Sequence, residues 1–173
     1  MLQLAESMNV IRALLGGLLG AAAMSVVMAL CRLARIPVDL ELLLGSFVLG
    51  ELGFEAWLVG VGIHLSLGAL FGLLYAAIFE RGMQRSGPAA GAAIGMLHAG
   101  IVGAVLAALP DVHPLVPTEL PSPGAYFVAL GSSGVMLFVL LHLLFGGVVG
   151  AYYGPVESGR APFAPRRASP THF

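Results

Sequence analysis

Apolar residues run almost unbroken through four stretches of this chain, and polar residues gather between them. A helix rises about 1.5 Å per residue, so a hydrocarbon layer of about 30 Å takes about 20 apolar residues. The stretches 11–33, 56–79, 88–109 and 126–153 all reach that length, and no Lys, Arg, Asp or Glu lies in their interiors. None alternates apolar and polar residues as the strands of a membrane barrel do, so each reads as a helix. Pro88 falls in a first turn, where its missing N–H costs nothing. The pattern predicts an all-α, polytopic membrane protein with four transmembrane helices arranged as two tandem hairpins.

The segments between the stretches differ in kind. Residues 37–50 are apolar but too short to span, which predicts an interfacial or re-entrant helix. Residues 110–124 contain Pro110, Pro114, Pro117, Pro121 and Pro123, which predicts an extended loop with His113 exposed in it. The chain divides into a short N-terminal segment (1–10), a four-helix domain (11–154) and a Pro- and Arg-rich tail (155–173) expected to be disordered.

Composition fixes the solvent. Of 173 residues 58% are hydrophobic and 10% charged, and mean hydropathy is +0.96. Soluble domains carry roughly 25% charged residues, so a water-soluble globule is excluded. Disorder of the whole chain is excluded as well. All eight basic residues are Arg and the net charge is −1, which leaves no basic footprint for nucleic acid. The lone Cys31 excludes an internal disulfide. Leu30 before it is not the small residue a lipidation signal wants, and the apolar run around it is longer than the core of a cleaved signal peptide. Arg12, Arg81, Arg85, Arg160, Arg166 and Arg167 fall on one side of the predicted spans, and only Arg32 and Arg35 on the other. The positive-inside rule then predicts an inner-membrane protein with both termini cytoplasmic.

Two of the stretches share a pattern. His64-Leu65-x-x-Gly68-x-x-x-Gly72-x-x-Tyr75 and His142-Leu143-x-x-Gly146-x-x-x-Gly150-x-x-Tyr153 both fit H-L-x-x-G-x-x-x-G-x-x-Y, which predicts an internal repeat. A weaker echo relates Gly16 and Gly20 to Gly91 and Gly95. Residues four apart share a helix face, and rows of small residues let backbones approach in lipid. Gly16, Gly20, Gly68, Gly72, Gly91, Gly95, Gly146 and Gly150 are therefore the expected helix-packing positions. His64 and His142 should point into the bundle with them.

Both histidines sit about 16 Å from the Tyr end of their helices, and His98 about 15 Å from the same side. These three are the ionisable side chains at mid-depth, where such groups mark function by default. The plainest reading is hydrogen bonding to a neighbouring helix, with Ser25, Ser66, Ser132 and Ser133 as available partners. The alternatives are a metal held by His64, His98 and His142, a proton relay, or haem b between two of them. No carboxylate is visible at their depth to orient such ligands. Facing glycines on the second and fourth helices would close the slot a macrocycle needs. No catalytic constellation is visible: Glu51 and Glu55 read as a solvated helix end, and His172 lies in the tail. No cofactor is predicted.

The Gly16-Gly20-Met24-Ser25 run, the segment from Asp39 to Gly45-Ser46, the two histidine repeats and Pro121-Ser122-Pro123-Gly124 together resemble an uncharacterised, domain-of-unknown-function family. Its members are small four-helix inner-membrane proteins of bacteria and archaea, and the resemblance extends over residues 16–154. It implies the fold and no activity, cofactor or site. The expected function is a non-enzymatic structural or accessory component, in contact with the bilayer and with a larger membrane complex or a second copy. The alternative is a small protein that handles a metal, a proton or haem at its histidine layer.

Overall fold

A computed structural model describes residues 8–156. Among them are six α-helices and no strand: α1 (Val10–Leu33), α2 (Leu40–Leu49), α3 (Phe54–Ile78), α4 (Pro88–Leu106), α5 (Leu109–Val112) and α6 (Gly131–Tyr153). A wider helical turn, Phe79–Met83, prolongs α3, and a tight turn, Ala125–Leu130, leads into α6. With these extensions four helices are long and apolar enough to cross a membrane: Val10–Leu33, Phe54–Met83, Pro88–Leu106 and Ala125–Tyr153. The third ends at Leu106, short of Leu109: Pro110 has no N–H to bond the Leu106 carbonyl, and it stands instead in the first turn of α5, where none is needed. The segment 1–10 lies mostly, and the tail 155–173 almost wholly, outside the described residues.

Local chemistry sets the ends. The Asn9 side chain accepts from the Arg12 N–H at 2.9 Å to start α1, and Asp39 accepts from the Leu42 N–H at 2.9 Å to start α2. Gly50, at φ 69°, closes α2 in the left-handed conformation that glycine adopts without penalty.

Glycine decides which helices touch. Gly17 of α1 lies against Gly68 and Gly72 of α3, so closely that a Cβ on any of the three would collide with backbone. Gly91 and Gly95 of α4 meet Gly146 and His142 of α6 in the same way, and Gly150 meets Gly87. Gly16 and Gly20 face Tyr152 and Phe145, and through them α1 packs on α6. α3 and α4 do not pack closely; Phe71 and Tyr75 of α3 reach across to His98 of α4. Outward faces are apolar, with Leu70, Leu74, Leu97, Ile101 and Val105 exposed, as expected of helices that need no polar side.

Both ends of the bundle are tied. At one, Tyr153 Oη accepts from the Asn9 N–H at 3.3 Å and donates to Glu80 Oε1 at 2.7 Å, so the start of α1, the end of α6 and the turn after α3 lie together. At the other, α2 docks antiparallel on the first half of α3 through Gly45 and Gly60. There the segment 110–124 departs from the extended loop expected of it. It opens with α5 and folds under α2, and His113, Leu115 and Val116 are buried. His113 is buried because both ring nitrogens are satisfied. Nε2 donates to the Leu43 carbonyl at 3.0 Å and Nδ1 accepts from the Leu115 N–H at 3.1 Å.

Candidate functional site

α2 changes what surrounds the histidines. Because Gly45 and Gly60 lack side chains, α2 sinks far enough to bury Glu41 completely, at 0% exposure. Its Oε2 accepts from Arg32 Nη1 at 3.1 Å, and the same nitrogen lies 3.3 Å from Asp39 Oδ1. Arg32 stays partly open to a groove beside α2. Asp39 borders that groove too. Burial pushes its carboxyl above the usual carboxylate range, against the opposing pull of the Leu42 N–H and Arg32. Glu41 Oε1 has no hydrogen-bond partner, and His64 Nδ1 is 3.8 Å away. A carboxylate therefore does stand beside the histidine layer. The sequence reading missed it because Glu41 lies outside the four long stretches, on a short helix that folds back onto α3.

Each mid-height histidine is anchored through Nδ1. His64 Nδ1 is 3.1 Å from Ser25 Oγ of α1, one of the four serines expected as partners. Ser66 and Ser133 bond carbonyls of their own segments instead. His142 Nδ1 donates to the Phe138 carbonyl at 2.8 Å, and His98 Nδ1 is 3.3 Å from Tyr75 Oη. The rings of His98 and His142 meet edge to face, 5.1 Å between centroids, and His98 lies on Phe71 at 4.1 Å.

The three rings border one cavity of about 300 Å³, walled otherwise by apolar side chains such as Met28, Phe71, Phe138 and Phe145. His113 closes its α2 end. Glu41 Oε1 is the one fully enclosed side-chain nitrogen or oxygen without a partner among the described residues. Among the described residues the Nε2 atoms of His64, His98 and His142 have no hydrogen-bond partner either, and all three side chains line the cavity.

The glycines do not do what the slot argument required. Gly68 and Gly72 face α1, and Gly146 and Gly150 face α4, so they do not draw α3 and α6 together. Space at the histidines is limited instead by the rings themselves, since edge contact between His98 and His142 leaves no gap for a macrocycle between that pair. No group of three or more His, Cys, Asp or Glu side chains among the described residues is arranged to hold a metal ion. Glu51 and Glu55 are exposed.

Four positions escaped the sequence reading: Glu41, Tyr75 as the partner of His98, and the close-packing Gly45 and Gly60. One signal was available. Gly60, His64, Gly68 and Gly72 form a single row at spacing four, one turn longer than the row that faces α1. Its extra turn is where α2 docks. Comparison with protein families, with curated proteins and with solved structures gives no match.

Proposed function

We propose that this chain is a multi-pass inner-membrane protein whose bundle binds a small lipid-soluble molecule in the histidine-lined cavity, with both termini in the cytoplasm. The carrying observation is the cavity. About 300 Å³ of largely apolar space with a few convergent polar atoms is the form small-molecule sites take. A purely accessory protein would gain stability by filling it, because empty volume in a core costs stability. The direct bridging of α3 and α4 by three side chains, without close backbone contact, supports entry from the lipid along that side.

The tandem-hairpin repeat belongs to the same proposal, and the contacts support it with one adjustment. Gly17 meets Gly68 as Gly91 meets Gly146, and the Ala13 carbonyl meets Gly72 as the Gly87 carbonyl meets Gly150. The echo between the first helices of each hairpin is thus better drawn from Gly17 to Gly91 than from Gly16. Arg12, Arg81 and Arg85 at the end of the bundle where Asn9, Glu80 and Tyr153 meet are the ground for assigning that end to the cytoplasm.

A second reading has its own observation. Ligating imidazoles are held through their other nitrogen by a polar group behind the ring, and His64, His98 and His142 are held through Nδ1 by Ser25 Oγ, Tyr75 Oη and the Phe138 carbonyl. One experiment separates the two. The protein is purified from its membranes into lipid nanodiscs, extracted with solvent for mass spectrometry, and assayed for metals. The proposal expects a stoichiometric lipophilic molecule that is lost from His142→Phe, which removes one of the polar atoms that would hold it. Stoichiometric metal without such a molecule favours the second reading. Neither, in protein that melts like His142→Phe, overturns both.

A further inference from the structure

The hydrogen-bonding sense of the cavity is legible from what lies behind two of its histidines. His142 Nδ1 faces the Phe138 carbonyl at 2.8 Å. A carbonyl only accepts, so that nitrogen carries the proton and Nε2 presents a lone pair. For His64 the deciding group is Glu41. Ser25 Oγ, at 3.1 Å from Nδ1, can accept or donate and fixes nothing by itself. Glu41 Oε1 breaks the tie. It is an acceptor, fully buried, without a partner, and 3.8 Å from the same nitrogen. A proton on Nδ1 gives that oxygen the positive end of an N–H dipole. A lone pair there would set two acceptors against each other in a dry interior, where an uncompensated polar group is costly.

We propose that Glu41 is a positioning residue that holds the Nδ1–H tautomer of His64, so that His64 and His142 both present Nε2 acceptors and the cavity selects a ligand carrying a hydrogen-bond donor. The ligand class is a lipid-soluble alcohol or phenol, with its hydroxyl on the histidines and its apolar body among Met28, Phe71 and Phe145. This rests on the ligand-binding reading above and adds a direction to it. A site built to accept from a hydroxyl rejects the analogue that lacks it, because the acceptors are then left unpaired.

The isosteric variant Glu41→Gln inverts the arrangement. A guanidinium only donates and cannot face an NH₂, so the amide oxygen turns to Arg32 and the NH₂ takes the place of Oε1 facing His64. Nδ1 must then accept and Nε2 must carry the proton. Two measurements on protein in nanodiscs test this. NMR of isotope-labelled histidine ring nitrogens reads the tautomers directly. The native protein should show His64 and His142 protonated at Nδ1, and Glu41→Gln should move His64, and not His142, to the Nε2–H form. Binding of hexylphenol and of its methyl ether then reads selectivity. The native cavity should prefer the phenol by about tenfold or more, a single hydrogen bond being about 1.4 kcal/mol, and Glu41→Gln should lose or reverse that preference. An Nε2–H His64 in the native protein, or a tautomer indifferent to Glu41→Gln, overturns the inference. If the tautomers are as expected and neither probe binds, the cavity reading falls and the positioning role of Glu41 stands.

Discussion

Arg32 and Glu41 should contribute to stability in a markedly unequal way. Glu41 has no solvent exposure, one charged partner and one oxygen with none. Arg32 is a quarter exposed, at 25% of its side chain, and would still have Asp39 at 3.3 Å and the Val38 carbonyl at 3.3 Å if Glu41 were gone. Arg32→Leu therefore strands a buried carboxylate, at a typical cost of about 3–5 kcal/mol. Glu41→Leu leaves a cation that keeps two partners and the groove, and it removes the partnerless oxygen; about 1 kcal/mol or less is expected. The double variant should recover most of the Arg32→Leu loss, because apolar replacement of a whole buried pair is often neutral.

Trp57 stacks on Phe54 where α3 begins, close to where α2 docks, and as the lone tryptophan it reports unfolding by fluorescence. Reversible denaturation in detergent micelles at pH 7 gives the cycle. Equal losses from the two single variants, or a double variant no more stable than Arg32→Leu, would refute the argument.

Two further outcomes are open to the same assay. Gly45→Ala should cost about 1–3 kcal/mol or more, since its Cβ collides with the Ala56 carbonyl and drives α2 off α3; Gly62→Ala, with nothing within 4 Å of its Cβ, should be neutral or slightly stabilising. Asp39→Asn keeps the helix cap and removes a carboxylate that burial disfavours, so it should melt no lower than the native chain at pH 7, with the difference closing toward low pH, whereas Asp39→Ala should lose about 1 kcal/mol with the cap. An Asp39→Asn variant as weak as Asp39→Ala at pH 7 would put the Asp39 charge, and not its cap, in control of α2.

How far the sequence reached follows from the range over which each signal acts. Four long helices were legible because hydropathy is summed over some twenty positions, and no tertiary contact can hide it. The burial of His64 and His142 was legible because a row at spacing four is a property of one helix. What pairs with what was not. Gly68 and Gly72 mark a contact face without naming the helix that fills it, and the choice of α1 is written in Gly17, which no repeat singled out. Glu41 shows the limit most sharply. As a residue in a short apolar segment it reads as surface, since a carboxylate near a span end is cheapest in water. It is buried because three separate features coincide: Arg32 at the end of α1 neutralises it, Asp39 caps the helix that carries it, and Gly45 with Gly60 lets that helix sink. None of the three is informative alone, and together they put an acceptor behind His64. The histidine layer was visible in the sequence as a place; its polarity was not, because polarity at an imidazole is decided by the atom behind the ring.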